Sequence, residues 1–167
     1  MKTCGKRAAR KGFSLVESAF AIVLVGLGVT ALMTACASST QASGAGHELS
    51  QAISLATEIR EWSVLLPFSE TDPGEIGNAV GPDFYDPAGG ADDLDDLMNA
   101  SFSPARNGSG VAIADMPGWT QNVKLTWLNP TSLTEVTAGS SDVVEVEVDI
   151  LLSGTSVFTA SWIVVGR

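Results

Sequence analysis

From Ser18 to Gly46 the chain runs for 29 residues without one charged side chain. The first part of that run, Ser18–Ala37, reads SAFAIVLVGLGVTALMTACA. About 20 apolar residues in a helix, each rising ~1.5 Å, match a bilayer core ~30 Å thick. No other stretch limits the fold so strongly. Upstream lie Lys2, Lys6, Arg7, Arg10 and Lys11, with no acid among residues 1–12. A single acid, Glu17, stands at the mouth of the apolar run. A carboxylate carried into the membrane core costs about 2.5–3.5 kcal/mol, so Glu17 calls for a partner and a task.

The segment Gly12-Phe13-Ser14-Leu15-Val16-Glu17, set behind a basic leader and before an apolar helix, resembles the class III signal of type IV pilins and type II secretion pseudopilins. The resemblance is strong over residues 6 to about 40 and beyond them is one of architecture only. It implies an α+β, pilin-like fold: a long N-terminal helix, half membrane-spanning and half amphipathic, packed on a small antiparallel β-sheet. It implies removal of residues 1–12 by a prepilin peptidase between Gly12 and Phe13, and N-methylation of Phe13. It implies that Glu17 serves assembly, and that the protein is a structural subunit, most like a minor one, of a pilus or pseudopilus and not an enzyme. The implied partners are other pilin or pseudopilin subunits, the prepilin peptidase, an inner-membrane assembly platform and membrane lipid. No cofactor and no nucleic-acid partner are expected. The implied location is the inner membrane, single-pass with the C-terminal domain extracytoplasmic, and then the filament.

Two other readings of the N-terminal region stand beside this one. Ala35-Cys36-Ala37 has the form of a signal-peptidase site. Met33-Thr34-Ala35-Cys36 resembles a lipobox, which would make Cys36 the acylated start of a lipoprotein with an acidic extracytoplasmic binding domain. Against both, an ordinary signal carries no acid between its basic and apolar parts, and Met stands where a lipobox usually has Leu.

Charge sets the orientation. Five of the nine Lys and Arg lie in residues 1–11, and all nineteen acids follow Gly12. Without the leader, four basic residues face nineteen acids, a net charge of −15. Basic flanks stay cytoplasmic, so the remainder of the chain is directed outward. An exterior this acidic repels phosphate backbones. The two cysteines, Cys4 and Cys36, leave the outer domain with none, so it lacks the disulfide loop of many major pilins.

The remainder divides by pattern into residues 13–37, the membrane or filament-core helix, and 38–66, an amphipathic half. Residues 67–118 form an irregular Pro-, Gly- and Asp-rich region, and 119–167 the sheet. Helical spacing places Leu49, Ile53, Ala56, Ile59, Ser63 and Leu66 on one side before Pro67 ends the helix. Gly26 and Gly28 read as close-packing positions. At Gly44 and Gly46 a bend or break and an unbroken helix remain open. Period-two alternation marks three strands: Trp119–Leu128, Asp142–Leu151 and Ser156–Val165, with a turn at Ser153-Gly154. Their inward rows include Trp127, Val146, Val148 and Trp162, and the helix is the layer that covers them.

Asp92, Asp93, Asp95 and Asp96 gather four carboxylates, weak candidates for a calcium site. Their spacing lacks D-x-D-x-D-G and a closing Glu, and the run reads first as a solvated acidic face around a short helical turn. His47 is the only histidine, and no Ser elbow, Walker loop or outer-domain cysteine pair accompanies it. Asn99-Ala-Ser101 and Asn107-Gly-Ser109 match the glycosylation pattern and read as chance.

Overall fold

The computed structural model describes residues 14–68, 91 and 93–166. Two compact units divide between Ala45 and Gly46. One α-helix, α1, Leu15–Leu65, begins in the first unit and ends in the second. It is helical at Gly44 and Gly46, which settles the open alternative in favour of no break. Each interior glycine costs only about 0.5–1 kcal/mol relative to alanine, too little by itself to interrupt a long helix.

In the first unit α1 is bare. Phe20, Ile22, Leu24, Leu27, Leu32 and Met33 are all exposed. Its threonines spend their hydroxyls on the helix itself: Thr30 donates to the carbonyls of Gly26 and Leu27, Thr34 to Thr30, and Thr40 to Cys36. This bonding removes the main polar objection to an apolar solvent around the segment. By length and composition this helix can cross a membrane.

The second unit is an α+β layer pair. Four antiparallel strands stand in the order β1-β2-β3-β4: β1 Ser101–Phe102, β2 Trp119–Trp127, β3 Val143–Leu152 and β4 Thr155–Val165. Registers Val123↔Val148, Leu125↔Val146 and Trp127↔Val144 join the inward rows of β2 and β3. Val146 and Val148 in turn face Trp162 and Ala160 on β4. Ser153 and Gly154 both have positive φ (51° and 83°), the two-residue hairpin conformation whose twist suits the strands it joins. A register shift follows at Ile150/Leu151. The predicted strands stand within two residues of their expected bounds. β1 was not predicted, because two residues are too few to show a period.

The covering helix face keeps Ala56, Ile59 and Ser63 of the predicted side, with Leu66 half-buried, and departs from it at its N-terminal end. Leu49 and Ile53 are 42% and 45% exposed, and the buried stripe is Ala52, Leu55, Ala56, Ile59, Trp62 and Ser63. Two alanines and a serine let the helix backbone approach the sheet closely, and Leu55, Ile59 and Trp62 fill the gaps left beside them. Hydrophobicity ranks Ile53 above Ala52, so periodicity alone takes Leu49 and Ile53 where the fold buries Ala52 and Leu55. The half-buried Trp162 donates its indole N–H to the buried Ser63 hydroxyl (3.1 Å), which explains a polar residue in the stripe.

The connection between β1 and β2 is strapped to the helix. Arg106 lies over the Phe102 ring (4.8 Å) and near that of Trp62 (6.0 Å). The Gly108 N–H donates to the Glu58 carboxylate. Gly110, at φ 74°, sits on the Trp62 indole so closely that a Cβ there would lie 2.6 Å from Cζ2. Gln121 is completely buried on β2, its Oε1 accepting from the Arg106 N–H (2.6 Å). Its Nε2 donates to the Leu55 and Arg106 carbonyls, each at 3.0 Å.

Candidate functional site

The residues that carry the cleavage reading, Gly12 and Phe13, lie outside the described residues, as do the rest of the leader and Asp92. Glu17 is described. It occupies the first turn of α1 and is exposed. Ser14, just before the helix, accepts the Glu17 N–H with its side-chain oxygen (3.2 Å), and its carbonyl accepts the Ser18 N–H (3.1 Å). Ser14 is therefore the N-cap, and Glu17 stands at the third helical position, the spacing of a capping box. A carboxylate there is also favoured by the positive end of the helix dipole. The sequence signal for this role was present in Ser14-x-x-Glu17.

Glu17 thus has a local stabilising role independent of any partner. The two roles use different atoms. Capping by Ser14 consumes the backbone N–H of residue 17, while the Glu17 carboxylate remains exposed at the border of an apolar, uncovered helix. In a low-dielectric setting that carboxylate favours a cationic partner. Cys36 is a free, exposed thiol on the same helical half.

The acidic run has a structural explanation. Leu94 and Leu97 are buried in the core, and the Leu94 N–H donates to the Pro67 carbonyl (2.9 Å), tying this loop to the end of α1. Asp93 is 5% exposed, so it is not part of a solvated face, contrary to the sequence expectation. Its Oδ1 accepts from the N–H groups of Asp95 (3.0 Å) and Asp96 (3.3 Å), closing the turn that leads into the short 3-10 segment Asp95–Leu97. Burial pushes the Asp93 carboxyl up to about 8. A side-chain hydrogen bond with Asp95 and the charges of Asp95 and Asp96 act in the same direction, and the Asp96 N–H opposes them. Among the described residues no three His, Cys, Asp or Glu side chains converge as metal ligands would.

His47 is exposed on α1. Asn107 uses its side-chain oxygen to accept the N–H groups of Ser109 (3.0 Å) and Val111 (2.9 Å), a turn-forming role. Sequence reasoning did not single out Gln121 as a buried tie. Its place in an otherwise apolar inward row of β2 was the available signal. Compared with models of known families, with curated proteins and with solved structures, the chain matches none.

Proposed function

We propose that this chain is a structural subunit of a filament of the type IV pilin or type II secretion pseudopilin kind, most like a minor one, and not an enzyme. In this reading it waits in the inner membrane with its sheet unit outside. A prepilin peptidase cuts it between Gly12 and Phe13 and methylates Phe13, and it joins other subunits through the N-terminal half of α1 on an assembly platform. The observation that carries the reading is one helix with two uses. Leu15–Leu65 is bare and apolar in the first unit and supplies the core layer of an acidic α+β fold in the second. A plain membrane anchor needs no such sharing of one helix.

Glu17 supplies the register. After the cut, Phe13 gains an α-amino group with a reference pKa of about 7.7–8.0, four residues before Glu17. An incoming helix pairs its Glu17 with the terminus of a neighbour, because either charge left alone in an apolar medium is penalised. Smooth apolar contacts alone specify axial position poorly.

Two experiments test this. Intact-mass analysis of the chain recovered from membranes is expected to give a start at N-methylated Phe13, with Gly12→Leu blocking the cut; a start at acylated Cys36 overturns the reading. Glu17→Gln keeps the Ser14 cap and removes the charge. It is expected to be inserted and cut normally but to enter sheared filaments at least tenfold less. Equal incorporation of this variant and the wild type refutes the register mechanism alone.

A further inference from the structure

β4 is the outermost strand of the sheet, and among the described residues nothing pairs with its free side. Its 11 residues, TSVFTASWIVV, contain no charged side chain and no proline. An edge strand turns unpaired N–H and C=O groups outward, and proteins ordinarily guard such edges with lysine, proline or a covering element. β4 has neither of those residues. It is also apolar on both faces toward its end. On the helix side Trp162 and Val164 are only half-buried, although their β3 partners Val146 and Val144 are closed off. On the other side Ile163 and Val165 are 50% and 59% exposed. An added strand would satisfy the backbone groups and cover both rows.

Charge selects what is added. On the face away from the helix β3 carries Glu145, Glu147 and Asp149. β2 answers with one cation, Lys124, in register with Glu147. On the open side the partners are Ile163, Ser161 and Thr159, neutral and mostly short. Asp149 takes hydroxyl donors from Ser156 (2.5 Å) and Thr159 (3.1 Å), but no cation lies on that side among the described residues. A strand beside β4 would stand about 10 Å from β3, within the joint reach of a lysine and a glutamate. Residues 46–167 hold four Lys and Arg against eighteen acids, so a second copy brings repulsion and no cation to its β4.

We propose that the free edge of β4 docks an extended segment of another protein in which apolar residues alternate with lysine or arginine. The segment's backbone becomes a fifth strand. Its apolar side chains lengthen the Trp162–Val164 row, and its cations cross Ser161 and Thr159 to Glu147 and Asp149. This surface does not depend on the filament reading.

The test uses the full chain in uncharged maltoside micelles at about 0.15 M salt, which damps long-range attraction. A labelled nine-residue peptide alternating valine and lysine is titrated by fluorescence anisotropy. Saturable one-to-one binding is expected, at least tenfold weaker with glutamate replacing lysine. N-methylating one alternate set of peptide amides is expected to abolish binding, while methylating the other set is tolerated, because only one set faces β4. Ile163→Lys, which places a cation on an exposed position, is expected to weaken binding at least fivefold with the thermal midpoint kept. Absence of saturable binding overturns the proposal. So does equal binding of both methylated peptides, which assigns the effect to bulk attraction by an acidic chain. Self-association that Ile163→Lys abolishes also overturns it, by giving the edge to a second copy.

Discussion

Replacing Gln121 with leucine tests a buried side-chain amide that ties three parts of the sheet unit together. The side chain has no solvent exposure and makes three hydrogen bonds, to the Arg106 N–H, the Arg106 carbonyl and the Leu55 carbonyl. Leu55 lies inside α1, so its carbonyl retains a helical donor. The Arg106 N–H and carbonyl each lose the Gln121 partner. A buried backbone group deprived of its partner costs about 1–3 kcal/mol, and leucine returns part of that through apolar burial. The net expectation is a loss of about 2–4 kcal/mol. In a domain of this size each kcal/mol shifts the midpoint by about 3–6 °C, so a drop of roughly 6–24 °C should follow. The assay is thermal unfolding by circular dichroism on a fragment of residues 46–167, the unit that is compact by itself. Gln121→Glu sharpens the test. It keeps an acceptor for the Arg106 N–H but aims a carboxylate at two carbonyls, which raises its folded pKa above the unfolded value of about 4.3. Its stability should therefore fall as pH rises from about 4 and recover on acidification, when a protonated oxygen can donate again. A leucine variant melting within about 3 °C of wild type would refute the reasoning.

Gly110→Ala combines a positive φ of 74° with a Cβ placed 2.6 Å from the Trp62 ring, and about 2–4 kcal/mol of destabilisation is expected in the same melting assay. Asp93, raised to about 8 in the fold from an ordinary value near 3.8, binds its proton more tightly folded than unfolded. The midpoint should therefore decline as pH climbs between about 4 and 8. Asp93→Asn keeps the oxygen that accepts from Asp95 and Asp96 while removing the charge; it should flatten that decline and melt above wild type at pH 8.

The sheet was legible in the sequence because its strands are long and one face is charged. Glu145, Glu147 and Asp149 alternating with valines and Ile150 leave little choice of register. The helix face was legible in part: Ala56, Ile59 and Ser63 fell on the expected side, but Ala52 was passed over for Ile53, because packing rewarded it for being small, a property hydrophobic ranking scores low. Asp93 was misread for the same kind of reason. Composition marks four aspartates as wet, and only the tertiary positions of Leu94 and Leu97 draw one of them inside. The Gly12–Glu17 segment stood out as a motif because it joins a short residue order to a long apolar helix. What Ser14 does for Glu17 was written in the same six residues, as a local rule instead of a family one.

The sheet unit closes on itself across long stretches of chain. Leu55 meets Gln121 over a separation of 66 residues, and Ser63 meets Trp162 over 99. Contacts of that span form late, because the intervening loop must be ordered before they reward it. A chain synthesised from its N-terminal end presents the Ala52–Ser63 stripe first and holds it uncovered until β3 and β4 follow. The rate of chain growth, and not the stability of the finished fold, then governs how long that apolar stripe is open to wrong partners.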